Sequence, residues 1–208
     1  MPNVKGTTAA GERGKSGLGV NQRADAQRNR AKILAAAPVA LRKNPDASVA
    51  DIAAEAGVGR MTLYGHFANR AALIDATLAD SLEQAEDVLG NVPLDGDPVA
   101  ALEALITSSW SLLERVRSVL VVAQRELPSA RIREMHEVAE GRMQGLFERG
   151  QREGVFRAEL PVSWLLAVTH LAMNAAAEEV TAGRIELKDA ADLIIGTLLP
   201  AFTVPEMR

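Results

Sequence analysis

The sequence predicts an all-α chain of about nine helices: an N-terminal three-helix unit built on a helix-turn-helix, and a larger helical body behind it. Three observations carry this reading. No run shows the strict apolar–polar alternation of a half-buried strand, whereas apolar residues recur at helical spacing almost throughout from Gln22 onward. Gly and Pro fall at intervals that cut this pattern into helix-sized pieces. Between Ile52 and Phe67 the chain reads IAAEAGVGRMTLYGHF, two short apolar helices about a glycine corner.

Taken in order, residues 1–22 are rich in Gly and small polar residues and read as a disordered basic tail. Its Lys5, Arg13 and Lys15 have the character of a basic arm. Ala9–Ser16 (AAGERGKS) fits a relaxed phosphate-loop pattern, but nothing before Ala9 reads as the buried strand such a loop must follow, so no nucleotide site is inferred. Helices are expected near 24–43, 48–56, 59–66, 70–89, 98–115, 117–126, 129–153, 162–182 and 188–203. The breaks have chemical causes: Pro45, Pro93, Gly96-Asp97-Pro98, Pro128, Gly154, Pro161 and Gly183. Pro38 falls inside the first helix, where it removes one backbone hydrogen bond and is expected to kink it. The division expected is a helix-turn-helix unit over 23–90 and a second helical domain over 91–208.

Composition narrows the class. The absence of Cys excludes disulfides and thiolate metal sites, and the seven aromatics leave the cores to Ala, Leu, Val and Ile. The N-terminus has no apolar run of a secretory signal and no stretch is long and apolar enough to span a membrane, so a cytoplasmic protein is expected. The net charge of −4 hides an asymmetry: residues 1–70 hold 11 Lys+Arg against 5 Asp+Glu, and the remainder 12 against 22. A basic end on an acidic body suits a protein that meets nucleic acid at one end. No nucleophile–base set and no metal-ligand spacing of His stands out, which disfavours an enzyme, a metal site or a cofactor.

The corner itself has clear local chemistry. Ser48 is a natural N-cap with Asp51 three residues on, an Asp version of the capping box. Gly57 stands where the chain must leave a helix, and Val58 is placed to plug the angle. Leu63 and Phe67 share the inward face of the second helix. Spacing alone allows either an ordinary αα-hairpin or a DNA reader.

The surrounding residues resemble the DNA-binding domain of the TetR family of bacterial transcriptional regulators. The matching residues are Ile52-Ala53, Ala56-Gly57-Val58, Thr62-Leu63-Tyr64, Phe67 and Arg70, with Ile33-Leu34, Ala37 and Leu41 on the first helix. Pro45 stands where the family usually has Gly, Arg70 replaces the more usual Lys, and Gly65 replaces a larger residue. The resemblance implies DNA contacts from Ser48 (phosphate), Gly59, Arg60 (guanine), Met61 (thymine methyl), Thr62, Tyr64, His66, Gly65 by close backbone approach, and Arg70 as a backbone clamp.

Trp164–Ala177 and residues 190–202 are apolar nearly all round, as helices buried on more than one side are. The resemblance implies a homodimer joined through these two helices, with Val168, Leu171, Ala175, Ile194, Leu198 and Phe202 at the interface, reading a palindromic double-stranded operator. It also implies a ligand-binding and dimerisation domain that takes an unknown small-molecule effector, releasing a repressor from DNA. Candidate pocket residues are the polar or polarizable ones on otherwise apolar helices: Trp110, Arg125, His136 and Met143, then Trp164 and the pair His170 and Asn174.

Overall fold

Helix ends fall where cap chemistry dictates, and the computed structural model describes residues 15–205. Among these residues eight helices run in order: α1 Lys15–Lys43, α2 Val49–Glu55, α3 Arg60–His66, α4 Arg70–Leu89, α5 Pro98–Glu126, α6 Ser129–Arg152, α7 Val162–Thr181 and α8 Ala190–Phe202. Three helices are capped by side-chain oxygens: Ser48 accepts from Asp51 N, Asn69 from Ala72 N and Asp97 from Ala100 N. Pro98 sits at the first position of α5, where its missing N–H costs nothing.

Two boundaries differ from the sequence reading. α1 is helical from Lys15, whereas residues 1–22 were expected as tail and the helix at 24; Lys5 and Arg13 lie outside the described residues. Arg23, Ala24 and Gln27 are good helix formers, so a helix nucleated by its apolar second half propagates backward at little cost. The helices expected at 98–115 and 117–126 form a single 29-residue α5, because the junction Arg115-Val116-Arg117 holds neither Gly nor Pro to stop it. α1 likewise runs on through Pro38, whose carbonyl accepts a hydrogen bond from the Ser118 hydroxyl of α5 at 3.3 Å.

The molecule has two apolar cores, and α4 and α5 belong to both. The N-terminal core gathers Ile33, Leu41, Ile52, Leu63 and Phe67 with Leu73, Ile74 and Leu78 of α4 and Val116, Val119, Val122 and Ala123 of α5. The C-terminal core takes Ala85 and Leu89 from the far end of α4 and Leu102, Leu105, Ile106 and Trp110 from the near end of α5. It adds Phe147 of α6, Leu165 and Leu166 of α7 and Ile194, Leu198 and Phe202 of α8. The expected domain division at residue 90 therefore cuts a structure in which the second half of α5 packs with the first three helices.

An aromatic cluster closes the far end. Phe147 meets Phe156 and Phe202 edge-on, with centroids 5.6 and 5.7 Å apart. Gly150 lets Phe156 lie against the α6 backbone, because a Cβ there would come within 2.2 Å of the ring. The segment after α8 then clips this corner: Arg157 N donates to Phe202 O at 2.9 Å and Val204 N to Val155 O at 3.0 Å. Gly150→Ala is expected to cost about 1–3 kcal/mol by overpacking. Urea unfolding should show this as a lower midpoint with an unchanged slope.

Candidate nucleic-acid interface

The α2–α3 corner is a Schellman turn. Gly57 has φ +65°, Val58 N donates to Ala53 O at 3.0 Å and Gly57 N to Ala54 O at 3.1 Å, so the last carbonyls of α2 are satisfied. Before the turn, Ser48 and Asp51 complete the capping box: Ser48 N donates to Asp51 Oδ2 at 2.7 Å and Asp51 N to Ser48 Oγ at 3.2 Å. The hydrogen bonds from Ser48 hold the Asp51 carboxyl below the usual range. A carboxyl lowered in the fold contributes stability above its unfolded pKa and loses it as pH falls through the folded value. Lys43 at the end of α1 bonds both Glu55 carboxylate oxygens, at 3.0 and 2.9 Å, fixing α2 against α1.

With Leu63 and Phe67 buried, α3 turns its other face outward. Arg60, Met61, Thr62, Tyr64 and Gly65 are all exposed, Met61 to 82%. The Arg60 guanidinium lies over the Tyr64 ring, 5.6 Å from its centroid. That cation–π contact one turn apart holds a flexible side chain extended along the exposed face. Gly59 caps α3 without a side-chain bond, and the exposed Ser48 lies at the start of α2. His66 is half-buried and packs beside Phe67, whose ring also carries the Arg30 guanidinium of α1 at 5.5 Å. No Asp or Glu lies on α3, so this face is cationic and polar with one large thioether.

Arg70 is placed differently from expectation. Its Nε donates to Glu126 Oε1 at 2.7 Å, its Nη1 to the Ala47 carbonyl, and its Nη2 to the Pro45 carbonyl at 3.4 Å. Both side chains of the ion pair are about three-quarters buried, at 26% exposure. With Nε, Nη1 and Nη2 each donating within the fold, Arg70 is an internal fastener joining α4, the α1–α2 loop and the end of α5.

The family model described as bacterial regulatory proteins, tetR family, matches residues 33–77, which span the second half of α1 through the first turns of α4. Residues 33–77 thus carry the TetR-type DNA-binding pattern. The chain is 27% identical over 123 residues to the HTH-type transcriptional repressor KstR2 of Rhodococcus jostii, across 55% of this chain and 60% of that protein. The match therefore spans less than two-thirds of this relative. The fold is shared with LfrR of Mycobacterium smegmatis, solved in complex with proflavine, at TM-score 0.69 and 24% identity over 86% of this chain and 98% of that one. It is shared also with the fatty acid degradation regulator FadR of Bacillus halodurans, at TM-score 0.71 and 19% identity over 82% and 94%.

The candidate ligand residues do not converge. Trp110 is buried and its indole N–H donates to Leu187 O at 3.1 Å; it lines a cavity of about 420 Å³ between α1, α5 and α7. His136 lines a different groove of about 250 Å³ between α4 and α6, and its Nδ1 lies 2.8 Å from Ile132 O. Met143 is packed in the C-terminal core, while Arg125, Trp164, His170 and Asn174 are exposed and line neither space. Desolvation lowers the His170 pKa, with Glu140 opposing and His136 adding to the shift. Spacing placed these groups on apolar helices but could not tell which side of each helix faces a void.

The expected interface residues divide likewise. Ile194, Leu198 and Phe202 are 2–3% exposed, their faces filled by the protomer's own core, so they are not available to a partner. Leu171 at 68% and Ala175 are exposed, and Val168 is half-buried. Trp164 at 57% and Leu193 at 50%, unmarked as interface in the sequence reading, continue this exposed apolar surface on α7 and α8. Glu126 and Arg117 are ordinary surface residues by sequence, and only the packing of α5 against α4 and α7 gives them their partners, Arg70 for one and the end of α7 for the other.

Arg70→Gln is expected to cost about 2 kcal/mol of stability through its lost charged hydrogen bonds. Amide exchange should accelerate around residues 45–48 and at the end of α5 before it does elsewhere. Arg70→Lys should rescue little of this, since one ammonium cannot replace the fork. Uniform acceleration over the whole chain would contradict the local fastening.

Proposed function

We propose that the chain is a homodimeric, ligand-responsive DNA-binding repressor acting in the cytoplasm, released from a palindromic operator by a small molecule. The observation that carries this reading is α3: seven residues without an acid, anchored by Leu63 and Phe67, that present Arg60, Met61, Thr62 and Tyr64 outward on a braced frame. A helix held this way fits the major groove, with Arg60 reading guanine O6 and N7, Met61 against a thymine methyl, and Ser48, Gly59, Gly65, Tyr64 and His66 near the backbone. Arg70 is left out of this contact set. The likeness to a curated repressor supports the direction of regulation.

The dimer follows from the exposed apolar surface of α7 and α8. Trp164, Leu171 and Leu193 stand in a region where an isolated protomer leaves large side chains in water. Covering that surface with its own twofold copy would set two α3 helices facing one way, as two half-sites on successive turns require.

DNA binding tests the reading directly. On fragments selected from a random pool, affinity should fall steeply as salt rises, because phosphate contacts release counterions. Arg60→Ala should cost about 1–3 kcal/mol on the selected site and little on random DNA. Equal loss on both would remove Arg60 from base reading, and no retention at low salt would end the repressor reading.

Leu171→Glu combined with Leu193→Glu should give a folded monomer by light scattering, with helical content unchanged. An intact dimer would place the interface elsewhere.

A further inference from the structure

The cavity between α1, α5 and α7, at about 420 Å³, lies within the ~300–1,000 Å³ typical of small-molecule sites. Its walls are mostly apolar: Leu41 and Pro45 from the α1 end, Trp110, Leu113 and Val121 from α5, and Val180 from α7. Two cations interrupt them, Arg42 in the last turn of α1 and Arg117 of α5. Among the described residues no carboxylate lines the cavity and neither arginine is in an ion pair.

Arg117 is held in place. Its Nη1 donates to the Ala177 carbonyl and to Thr181 Oγ1, the latter at 2.6 Å, both on the last turns of α7. Its other N–H groups take no partner among the described residues, and the residue is half-buried. One side of the fork thus anchors the guanidinium while the rest remains able to donate. In apolar surroundings such a cation gains most from an anion, and a planar guanidinium matches a carboxylate best. A cationic ligand would be repelled, and a neutral one would gain no ion-paired hydrogen bond.

We propose that this cavity binds a small apolar carboxylate, its carboxylate on Arg117 with Arg42 nearby and its hydrocarbon body against Trp110, Leu113 and Val180. This rests on the ligand-responsive reading above and names the chemical class of its effector. The site also suits control. Leu41, Arg42 and Pro45 form one wall, and the Pro45 carbonyl is an acceptor of Arg70, so an occupant presses on the loop that leads into α2 and α3.

The test is calorimetric titration of the full chain with decanoate, decanol and decylammonium, all kept below micelle formation. Decanoate should bind at one site per protomer, roughly tenfold or more tighter than either analogue, as one charge-assisted contact allows. Arg117→Gln should erase the preference, leaving decanoate and decanol alike, and Arg117→Lys should restore part of it. Val121→Phe, which fills the void without touching the charge, should abolish binding of decanoate while circular dichroism stays native; it decides the matter if Arg117→Gln fails to fold. No decanoate binding, equal binding of the three probes, or an unchanged preference in Arg117→Gln overturns the proposal. DNA retention measured without any ligand judges the repressor reading separately. A chain that binds decanoate and no DNA would sink that reading alone, and one that binds DNA and no decanoate would sink this site alone.

Discussion

Everything at the DNA-facing end depends on how Arg70 is spent. It stands at the first position of α4, directly behind the Asn69 cap, and reaches back to two carbonyls of the α1–α2 loop and across to Glu126. That one side chain joins three segments far apart in sequence: the loop before α2, the start of α4 and the end of α5. A lysine could make the ion pair, but it lacks the planar fork that spans a carboxylate and two carbonyls at once. With Lys43–Glu55 and the buried Ile52, it sets the position of α2 and, through the Schellman turn, that of α3.

The same helix carries two more crosslinks. Asp75 pairs with Arg131 of α6 at 2.9 Å, and Glu86 pairs with Arg142 further along. Hydrogen bonding to Asp75, then to Glu134, pushes the Arg131 pKa higher still, so this cation stays charged at any working pH. Partly exposed pairs of this kind add little to global stability. Their value is in register: they fix where α4 sits along α5 and α6, while Leu73, Ile74 and Leu78 at one end and Ala85 and Leu89 at the other anchor it in two cores. A helix held in two cores cannot shift at one end without a response at the other.

Much of this was legible in the sequence wherever a residue acts through its own backbone or its immediate neighbours. Gly57 foretold a positive φ, Ser48 and Asp51 a capping box, and Leu63 and Phe67 the inward face of α3. What resisted reading was partner choice across the fold. Arg70 looked like a phosphate clamp because its charge suits both a phosphate and Glu126. Ile194, Leu198 and Phe202 looked like interface because a helix apolar all round gives no sign of which side its own chain will cover. The structure gives the inward side to those three and leaves Leu193 outside. The break expected within α5 did not form, because Arg115-Val116-Arg117 holds no residue that stops a helix.

These features together constrain how a signal could reach α3. A ligand shifts an equilibrium only by its differential affinity for two states, so it must touch something that differs between them. The cavity proposed beside α1 would meet that requirement through Pro45, since its wall and the acceptors of Arg70 are the same short loop. Lengthening the Arg70 contacts by a fraction of an ångström would weaken three hydrogen bonds together, because one rigid fork makes them all. The cores resist gradual deformation, being packed as tightly as crystals, so the response available is a change of seating for α2 and α3 as a unit. In a twofold dimer that change occurs twice and in opposite directions along the DNA. A small displacement at each loop then becomes a doubled error in the spacing of two recognition helices.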